Sequence, residues 1–351
     1  MSVRTFYAAA HVVADPAGDN GPGKPAVVDW DATMAFRHHL WSLGLGIADA
    51  MDTAQRGMGL DWAATQELIR RSGAEAQSVG GLLACGAGTD QLAPGVHSLD
   101  TVEAAYAQQV QVVQAAGANV ILMASRALAA SATGPADYHR VYGRVLSEVD
   151  RPVILHWLGD MFDPALAGYW GGDTLDAATD SVLALMHEHA AKIDGIKVSL
   201  LDADREVAIR RALPEGVRLY TGDDFNYPEL IAGDEVGFSH ALLGIFDAIA
   251  VPAAAALAAL DAGDAAKFRE ILDPTVPLAR HIFQTPTFHY KTGIVFLAWL
   301  NGHQDQFRMV AGQETARSVE HLTELHRLAA QCGVLRDPDL AAARLATLVT
   351  A

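Results

Sequence analysis

The sequence predicts a (β/α)8 barrel of the TIM type with a C-terminal helical extension, and two observations support this fold class. Eight short runs of mostly apolar residues recur without polar alternation, which is typical of parallel strands buried on both faces. Segments with helical patterns separate these runs, and after about residue 245 only helical patterns follow. We therefore expect a barrel over residues 1–250 and a helical region over residues 251–351 that packs on it.

Each predicted strand is a run of four to eight residues. The predicted strands are Ala8–Val13, Leu45–Ala50, Gly81–Ala84, Val120–Met123, Val153–Trp157, Gly195–Leu200, Val217–Tyr220 and Val236–Leu243. A doubly wound sheet is the main alternative, but that fold has a glycine-rich loop after an early strand. The nearest candidate loop, Cys85–Gln91, lacks the third glycine of the pattern.

Helical patterns fill the segments between the runs. Asp61 begins a helix that continues through Arg71, and Asp100 is predicted to cap another, with Glu103 three residues later as in a capping box. The other helices are predicted over residues 137–148, Asp204–Leu213, Ala253–Ala262, Ala265–Leu272, Val276–Phe283, Lys291–Leu300, Glu314–Cys332 and Pro338–Leu348.

Charge and composition argue against several classes of function. The 351 residues include 25 basic and 42 acidic side chains, and the net charge of −17 repels nucleic acid backbones. No apolar run reaches the roughly 20 uninterrupted residues of a membrane span. The two cysteines, Cys85 and Cys332, form neither a CxxC pair nor a disulfide framework, which fits a reducing compartment. We expect a cytoplasmic protein whose partner is a small-molecule substrate, not a nucleic acid or a membrane.

The polar residues that close the predicted strands are the candidate site, because barrel enzymes place their chemistry at the carboxyl ends of the strands. Lys197 is the most informative, since its ammonium lies within an apolar strand where burial lowers the pKa. A neutral amine can attack a ketone and form a Schiff base. From position alone, a structural lysine that pairs with an acidic neighbour such as Asp223 or Asp224 is the favoured interpretation.

The other candidates each have a functional and a structural interpretation. His156 could move protons, bind a metal or be a hydrogen-bonded core residue. Asp223 and Asp224 could hold substrate hydroxyls or orient the lysine, although one of them is expected to cap the next helix. Arg56 could bind a substrate carboxylate or phosphate, or lie on the surface.

A metal site is an alternative. Four of the predicted strands, the first, second, fifth and eighth, each offer one N or O donor, either within the strand or just after it. Together these donors would form a ligand set suited to Zn²⁺ or Mn²⁺. This set is His11, Asp52, His156 and His240.

Several segments together resemble the dihydrodipicolinate synthase / N-acetylneuraminate lyase superfamily, and more narrowly a branch of it that is a domain family of unknown function. The matching segments are Ile154–Trp157, Gly195–Ser199, Thr221–Asp224, Ala232–His240, Ala262–Glu270 and Pro286–Lys291. The resemblance covers most of the chain and implies a barrel with a helical tail, a Schiff-base lysine at Lys197 and a homo-oligomer. The residues that we expect to contact the substrate are Asp52, Thr53, Arg56, Asp223, Asp224 and His240.

Two segments depart from the pattern of that superfamily. His156 replaces its catalytic tyrosine, and Met51–Gly57 replaces its "GTTGE" loop, of which Thr53 retains one hydroxyl. The changed loop argues against pyruvate as the substrate. Imidazole titrates near neutrality, so His156 can take over the proton transfer.

These residues predict an aldolase-type lyase that acts on a keto or aldehyde substrate, sugar-derived and weakly charged, through an imine on Lys197. His156 is the predicted proton shuttle, and no cofactor is expected. The alternatives are a metal-dependent lyase, isomerase or hydrolase, for which the cofactor is a divalent metal, and a non-catalytic protein that binds a small molecule.

Overall fold

The structure, a computed structural model, describes residues 4–349 and forms a closed barrel of eight parallel strands. Each strand pairs with the next along the chain, and the last pairs with the first. The strands are β1 (Phe6–Ala9), β2 (Gly46–Asp49), β3 (Leu83–Ala87), β4 (Asn119–Leu122), β5 (Val153–Leu158), β6 (Ile193–Ser199), β7 (Arg218–Thr221) and β8 (His240–Leu243). The predicted barrel and its helical tail are confirmed.

Helices alternate with the strands and then continue alone. Those of the barrel are α1 (Trp30–Ser42), α2 (Trp62–Val79), α3 (Leu99–Ala115), α4 (Arg126–Ser131), α5 (Pro135–Glu148), α6 (Leu175–Glu188), α7 (Ala203–Ala212) and α8 (Tyr227–Ala232). Those that follow β8 are α9 (Ile245–Ala248), α10 (Ala250–Asp261), α11 (Ala265–Leu272), α12 (Val276–Ile282), α13 (Tyr290–Leu300), α14 (Val319–Gln331) and α15 (Pro338–Val349).

Helix α3 shows how the sequence determines an element and where the prediction erred. Its N-cap is Ser98, whose hydroxyl accepts a hydrogen bond from the backbone N–H of Thr101, so Asp100 lies in the first turn and does not cap it. The acidic side chain there still complements the helix dipole. The predicted apolar face, which includes Val102 and Tyr106, is buried.

Hydrophobic residues cover both faces of the barrel sheet, one inside the barrel and one toward the helices, because successive strand residues point to opposite sides of the sheet. A small inner cluster fills the barrel. It consists of Tyr7, Ala9, Ala48, Met51, Ala84, Ile121, Met123, Ile154, Tyr220 and Leu242. The alternate strand residues, such as Leu155 and Ile196, join the larger core between the barrel and its helices.

The C-terminal helices reach the carboxyl end of the barrel through α13. Every residue of α13 is buried, and the hydroxyl of Tyr290 in its first turn is 2.9 Å from the Thr53 hydroxyl in the loop after β2. Tyr290 also stacks on Phe283, with ring centroids 4.4 Å apart. Among residues 4–349, no helix has the combined length and apolarity needed to cross a bilayer.

Candidate active site

Lys197 and His156 lie on neighbouring strands of the barrel and are paired in register across β5 and β6. Their side chains belong to the inward-facing set, since Ile154, two residues before His156, is in the inner cluster. Both are buried, with 7% of Lys197 and 0% of His156 exposed. The structure therefore places an amine and an imidazole side by side inside the barrel.

Burial lowers the pKa of Lys197, while the negative charges of Asp52 and Asp224 act in the opposite direction. The loop after β7 leaves room for the lysine because it has Gly222 at its closest point. A Cβ atom on this glycine would lie 2.8 Å from Lys197 Cε and would overlap Ser199 Oγ. The glycine of the Thr221–Asp224 segment is thus a packing requirement of the lysine.

The His156 imidazole has one neighbour to which it can hydrogen-bond. Its Nε2 is 3.3 Å from Ser199 Oγ, and its buried Nδ1 has no partner among the described residues. Burial, followed by the charge of Lys197, holds the pKa of His156 well below its ordinary value. The ring is therefore neutral at physiological pH, and it can accept a proton from a substrate.

Asp223 and Asp224 have separate roles, which the sequence left open. Asp223 accepts hydrogen bonds from the backbone N–H groups of Phe225 and Asn226 at 2.8 and 2.9 Å, so it holds the turn after β7. Asp224 accepts the backbone N–H of Ile245 at 2.8 Å. Burial, only partly offset by that bond and by Lys197, raises the pKa of Asp224 to about 7. Asp224 is therefore the carboxyl group that can exchange a proton near neutral pH.

The loop after β2 brings Asp52 and Thr53 to the same end of the barrel. Asp52 is half-buried, and its charge acts on both Lys197 and Lys291. The hydroxyl of Thr53 is occupied by Tyr290. Asp52 is therefore the residue of this loop that faces the amines.

Arg56 is committed to the fold rather than to a ligand. Its Nε and one terminal nitrogen bond the Asp90 carboxylate, and that nitrogen also donates to Gln109 at 2.7 Å. The other terminal nitrogen donates to the backbone oxygens of Gly86 at 2.8 Å and Ala50 at 3.3 Å. A guanidinium has five N–H donors, and all five have acceptors here. The interpretation of Arg56 as a surface residue is excluded, because only 4% of it is exposed.

A cavity of about 390 Å³ opens at this end of the barrel. Its polar wall contains Asp52, Arg56, Thr89, Asp90, Arg126, His156 and Asp163. The remainder is mostly apolar, with Leu92, Pro94, Ala127, Leu158 and Leu166 among its residues. Lys197 is not part of the wall in this conformation, although its neighbours His156 and Asp52 are. The volume is within the range of small-molecule sites.

A second cavity, of about 440 Å³, lies among the C-terminal helices. Its wall includes Asp247, His303 and Arg336 but none of the predicted site residues. Size alone would favour this cavity as the site. We favour the smaller one because it contains the titratable groups that the barrel directs to its mouth.

His240 does not reach the mouth, which corrects the prediction that it binds substrate or metal. Strand β8 begins at His240 rather than at Val236, so this residue lies at the amino end of the barrel. There its Nδ1 accepts the backbone N–H of Thr5 at 2.9 Å. Burial, with a smaller contribution from nearby Arg218, lowers the pKa of His240 to about 4.

The predicted four-residue metal set is likewise not assembled. His11 is fully buried, and its Nδ1 is 2.7 Å from Asp247 Oδ2, with its ring packed against Phe36. It belongs to the layer between β1 and the helices. Across residues 4–349, no three His, Cys, Asp or Glu side chains are grouped as metal ligands.

Lys291 is a site residue that was not predicted from the sequence, where it ends the Pro286–Lys291 segment of the tail. It is 4% exposed and lies in the first turn of α13, next to Tyr290. Burial lowers its pKa to about 8, the carboxylates of Asp52 and Asp163 raise it, and the cations of Arg126 and Lys197 lower it further. The apolar run that follows it, residues 292–300, is the signal that could have indicated a buried lysine.

Comparisons with known proteins agree with this fold. The solved structure of YagE from Escherichia coli K12, in complex with pyruvate, matches with a TM-score of 0.73 at 16% identity, covering 95% of this chain and 99% of that chain. Dihydrodipicolinate synthase from Aquifex aeolicus matches with a TM-score of 0.69 at 16% identity, over 95% and 100% of the two chains. The enzyme from Thermotoga maritima matches with a TM-score of 0.68 at 12% identity, over 95% and 100%.

None of the curated proteins compared with the chain matches it. A family model does match, over residues 1–351, and its description is "Protein of unknown function (DUF993)". Together with the structural matches, this confirms the resemblance found in the sequence. The chain belongs to the DUF993 family, whose function is unknown, and it has the fold of dihydrodipicolinate synthase.

Proposed function

We propose that the protein is an aldolase-type lyase that forms an imine between Lys197 Nζ and a sugar-derived keto or aldehyde substrate. The observation that carries this proposal is the buried amine of Lys197, paired in register with His156 inside the barrel. Burial lowers the pKa of this amine, so a larger fraction is neutral and nucleophilic than in water.

The first half of the reaction joins the amine to the carbonyl carbon. The neutral Lys197 amine attacks, and a carbinolamine forms. Asp224, whose pKa is raised to about 7, gives a proton to the departing hydroxyl group, which leaves as water. The product is a protonated imine that withdraws electrons from the adjacent carbon–carbon bond.

The second half cleaves that bond. The neutral imidazole of His156 takes the proton of the substrate hydroxyl, and the electron pair of the breaking bond moves into the imine to give an enamine and an aldehyde. His156 then returns its proton to the enamine carbon. Water hydrolyses the resulting imine, which regenerates the amine, and the proton goes back to Asp224. Ser199, at 3.3 Å from His156, orients the ring.

The solved relatives support the class of reaction but not the substrate. YagE was solved with pyruvate, a keto acid, and this is compatible with a carbonyl substrate in the same fold. Thr53 keeps one hydroxyl of the superfamily's loop, but this hydroxyl is hydrogen-bonded to Tyr290 and is not directed to a substrate carboxylate. We therefore keep the proposal to a carbonyl compound other than pyruvate.

Borohydride trapping tests the proposal directly. Wild-type protein is incubated with a panel of ketones and aldehydes, reduced with borohydride, and examined by intact mass. We expect a stable adduct that Lys197→Ala abolishes and that Lys267→Ala retains, since Lys267 is exposed on α11. If no carbonyl compound gives an adduct that depends on Lys197, imine catalysis is excluded.

A non-catalytic binding protein is the second candidate, favoured by the replaced loop and by the absence of Lys197 from the cavity wall. It predicts that a ligand raises the melting temperature without any turnover. Detection of a cleavage product by NMR decides against it.

A further inference from the structure

Two of the five lysines of the chain are buried, Lys197 in β6 and Lys291 in the first turn of α13. Both lie near the mouth of the barrel, although neither is part of the cavity wall in this conformation. Lys24 and Lys267 are exposed, and Lys192 is intermediate. Lysine is seldom buried, because removing its charge from water is costly. The proposed lyase needs one buried amine, at Lys197, so the second one, Lys291, calls for a separate explanation.

A chain of contacts places Lys291 between two loops of the mouth. Its neighbour Tyr290 bonds Thr53, which follows Asp52, and the Tyr290 ring packs against Phe162 at 6.1 Å between centroids. Phe162 precedes Asp163, whose carboxylate is 2.5 Å from Arg126 Nε. The start of α13, which carries Lys291, therefore packs against both the Asp52 loop and the segment that contains Asp163, and the charges of both carboxylates act on the Lys291 amine.

The cations at this mouth have unused donors. Lys291 Nζ has three N–H groups and donates one hydrogen bond, to the backbone oxygen of Phe288 at 3.1 Å. Arg126 is half-exposed and bonds Asp163 through Nε, while its nearest other acceptor is the Gly57 oxygen at 3.5 Å. Arg56, in contrast, has all its donors filled.

The charges at the mouth are not balanced when these cations are counted. Asp90 pairs with Arg56 and Asp163 pairs with Arg126, which leaves Asp52 and Asp224 against two buried amines. Asp224 is only partly ionised at neutral pH, because its pKa is raised to about 7. Like charges held close together repel, and an anion bound between them relieves the repulsion. A weakly charged substrate is expected when only Lys197, Arg56 and Arg126 are counted as cations of the mouth, and Lys291 adds a further one.

We propose that Lys291 and Arg126 form an anion subsite that binds a carboxylate or phosphate group of the carbonyl substrate. The inference deepens the proposed function and rests on it for the carbonyl at Lys197. The substrate class is then an acidic ketone or aldehyde, with its carbonyl directed to Lys197 and its anionic group to the wall formed by Arg126.

Matched ketones separate the charge from the rest of the substrate. Hydroxyacetone and dihydroxyacetone are neutral, whereas hydroxypyruvate adds a carboxylate and dihydroxyacetone phosphate adds a phosphate. We expect the wild-type protein to be trapped by one of the anionic ketones at least about tenfold faster than by its neutral partner, since hydrogen bonds to charged groups are strong. The preferred anion identifies the natural group.

Three variants test whether Lys291 and Arg126 cause the preference for the anionic ketone. Lys291→Met and Arg126→Gln should each remove most of it, measured as the ratio of the trapping rates of the anionic and the neutral ketone in the same variant, while Lys291→Arg should retain it. Lys267→Met is the control for the loss of a lysine charge. Arg126 is half-exposed, so its variant tests the subsite without a change in the core.

Calorimetry in a Lys197→Met background keeps this test independent of imine formation. The same ketones are titrated, and Lys291→Met added to that background should weaken binding of the anionic ketone at least about tenfold. If imine trapping fails but this loss is seen, the lyase proposal falls and the subsite stands. Equal binding of anionic and neutral ketones, or an anion preference that survives both Lys291→Met and Arg126→Gln, overturns the subsite.

Discussion

Lys197 and His156 are Cα partners across the parallel pair β5–β6, and both side chains point into the barrel. Neither of them is hydrogen-bonded to the other. Their coupling is electrostatic, because the ammonium of Lys197 contributes, after burial, to holding the pKa of His156 far below its ordinary value. Two cationic groups cannot share this site, so the imidazole stays neutral while the lysine is protonated.

Gly222→Ala should displace the side chain of Lys197 while the amine itself is retained. The new Cβ would lie 2.8 Å from Lys197 Cε and overlap Ser199 Oγ, so both side chains must move. We expect the rate of borohydride trapping to fall at least about tenfold, because small displacements of reacting groups are costly, and stability to fall by ~1–3 kcal/mol, as in overpacked cores. Intact mass and urea denaturation measure the two effects.

Gly237→Ala is the matched control for that change. A Cβ at Gly237 would meet only Arg210 Nε, at 4.0 Å, and the glycine has no left-handed conformation. Trapping and stability should both remain at the wild-type level. Unimpaired trapping in Gly222→Ala would show that Lys197 is not held by the contact described here.

His156→Gln should separate imine formation from proton transfer. Glutamine keeps a polar side chain near Ser199 but cannot act as a base. We expect trapping to change little, while deuterium uptake from solvent at the carbon next to the carbonyl falls by about 10²–10⁴-fold, the usual contribution of a general base. NMR of the ketone that traps best measures the exchange. Exchange at the wild-type rate would remove His156 from the mechanism.

The fold could be predicted because its signals are local. Eight apolar runs and the helices between them are legible residue by residue, and the parallel barrel follows from their order. The predicted elements are present with their ends displaced, and α1, α4, α6, α8 and α9 lie outside the predicted helical ranges. Strand β8 begins at His240 and not at Val236, because residues 236–239 belong to the loop before it. That shift alone moved His240 from the predicted mouth to the opposite end.

The site was only partly predictable, because its remaining residues depend on contacts distant in sequence. His11 follows a strand as the mouth residues do, but its ring lies in the layer between β1 and the helices. There it is hydrogen-bonded to Asp247, which is 236 residues later in the chain. Lys291 lies 94 positions after Lys197, and only the packing of α13 on the Asp52 loop brings the two amines together. No pattern within a single segment contains that information.

Arg56→Gln should destabilise the protein rather than alter its substrate preference. The change leaves Asp90 without its cation. It also leaves the backbone oxygens of Gly86 and Ala50 buried without the hydrogen bonds that Arg56 donates to them. We expect a loss of up to roughly 3–5 kcal/mol, the usual result of breaking a buried pair. Arg126→Gln, at an exposed pair, should cost about 1 kcal/mol or less. Urea denaturation compares them, and equal losses would contradict the structural role of Arg56.

Lys291→Met should stabilise the folded protein at neutral pH. The pKa of Lys291 is about 8 in the folded state, against 10.5 for an ordinary lysine, because burial outweighs Asp52 and Asp163 while Arg126 and Lys197 add to the shift. The unfolded chain therefore binds more protons than the folded one between pH 8 and 10.5.

The sign of that difference fixes the pH dependence. Below pH 8 the folded wild-type protein carries the full cost of the buried charge, and this cost disappears as the pH rises to 10.5. The advantage of Lys291→Met should then be up to about 3 kcal/mol at pH 6.5, offset in part by the lost bond to Phe288, and less than half as large at pH 9.5. Urea denaturation at both values measures it, with Lys267→Met as the pH-independent control. A constant difference would mean that Lys291 titrates as an exposed lysine, and the buried cation on which the anion subsite depends would be absent.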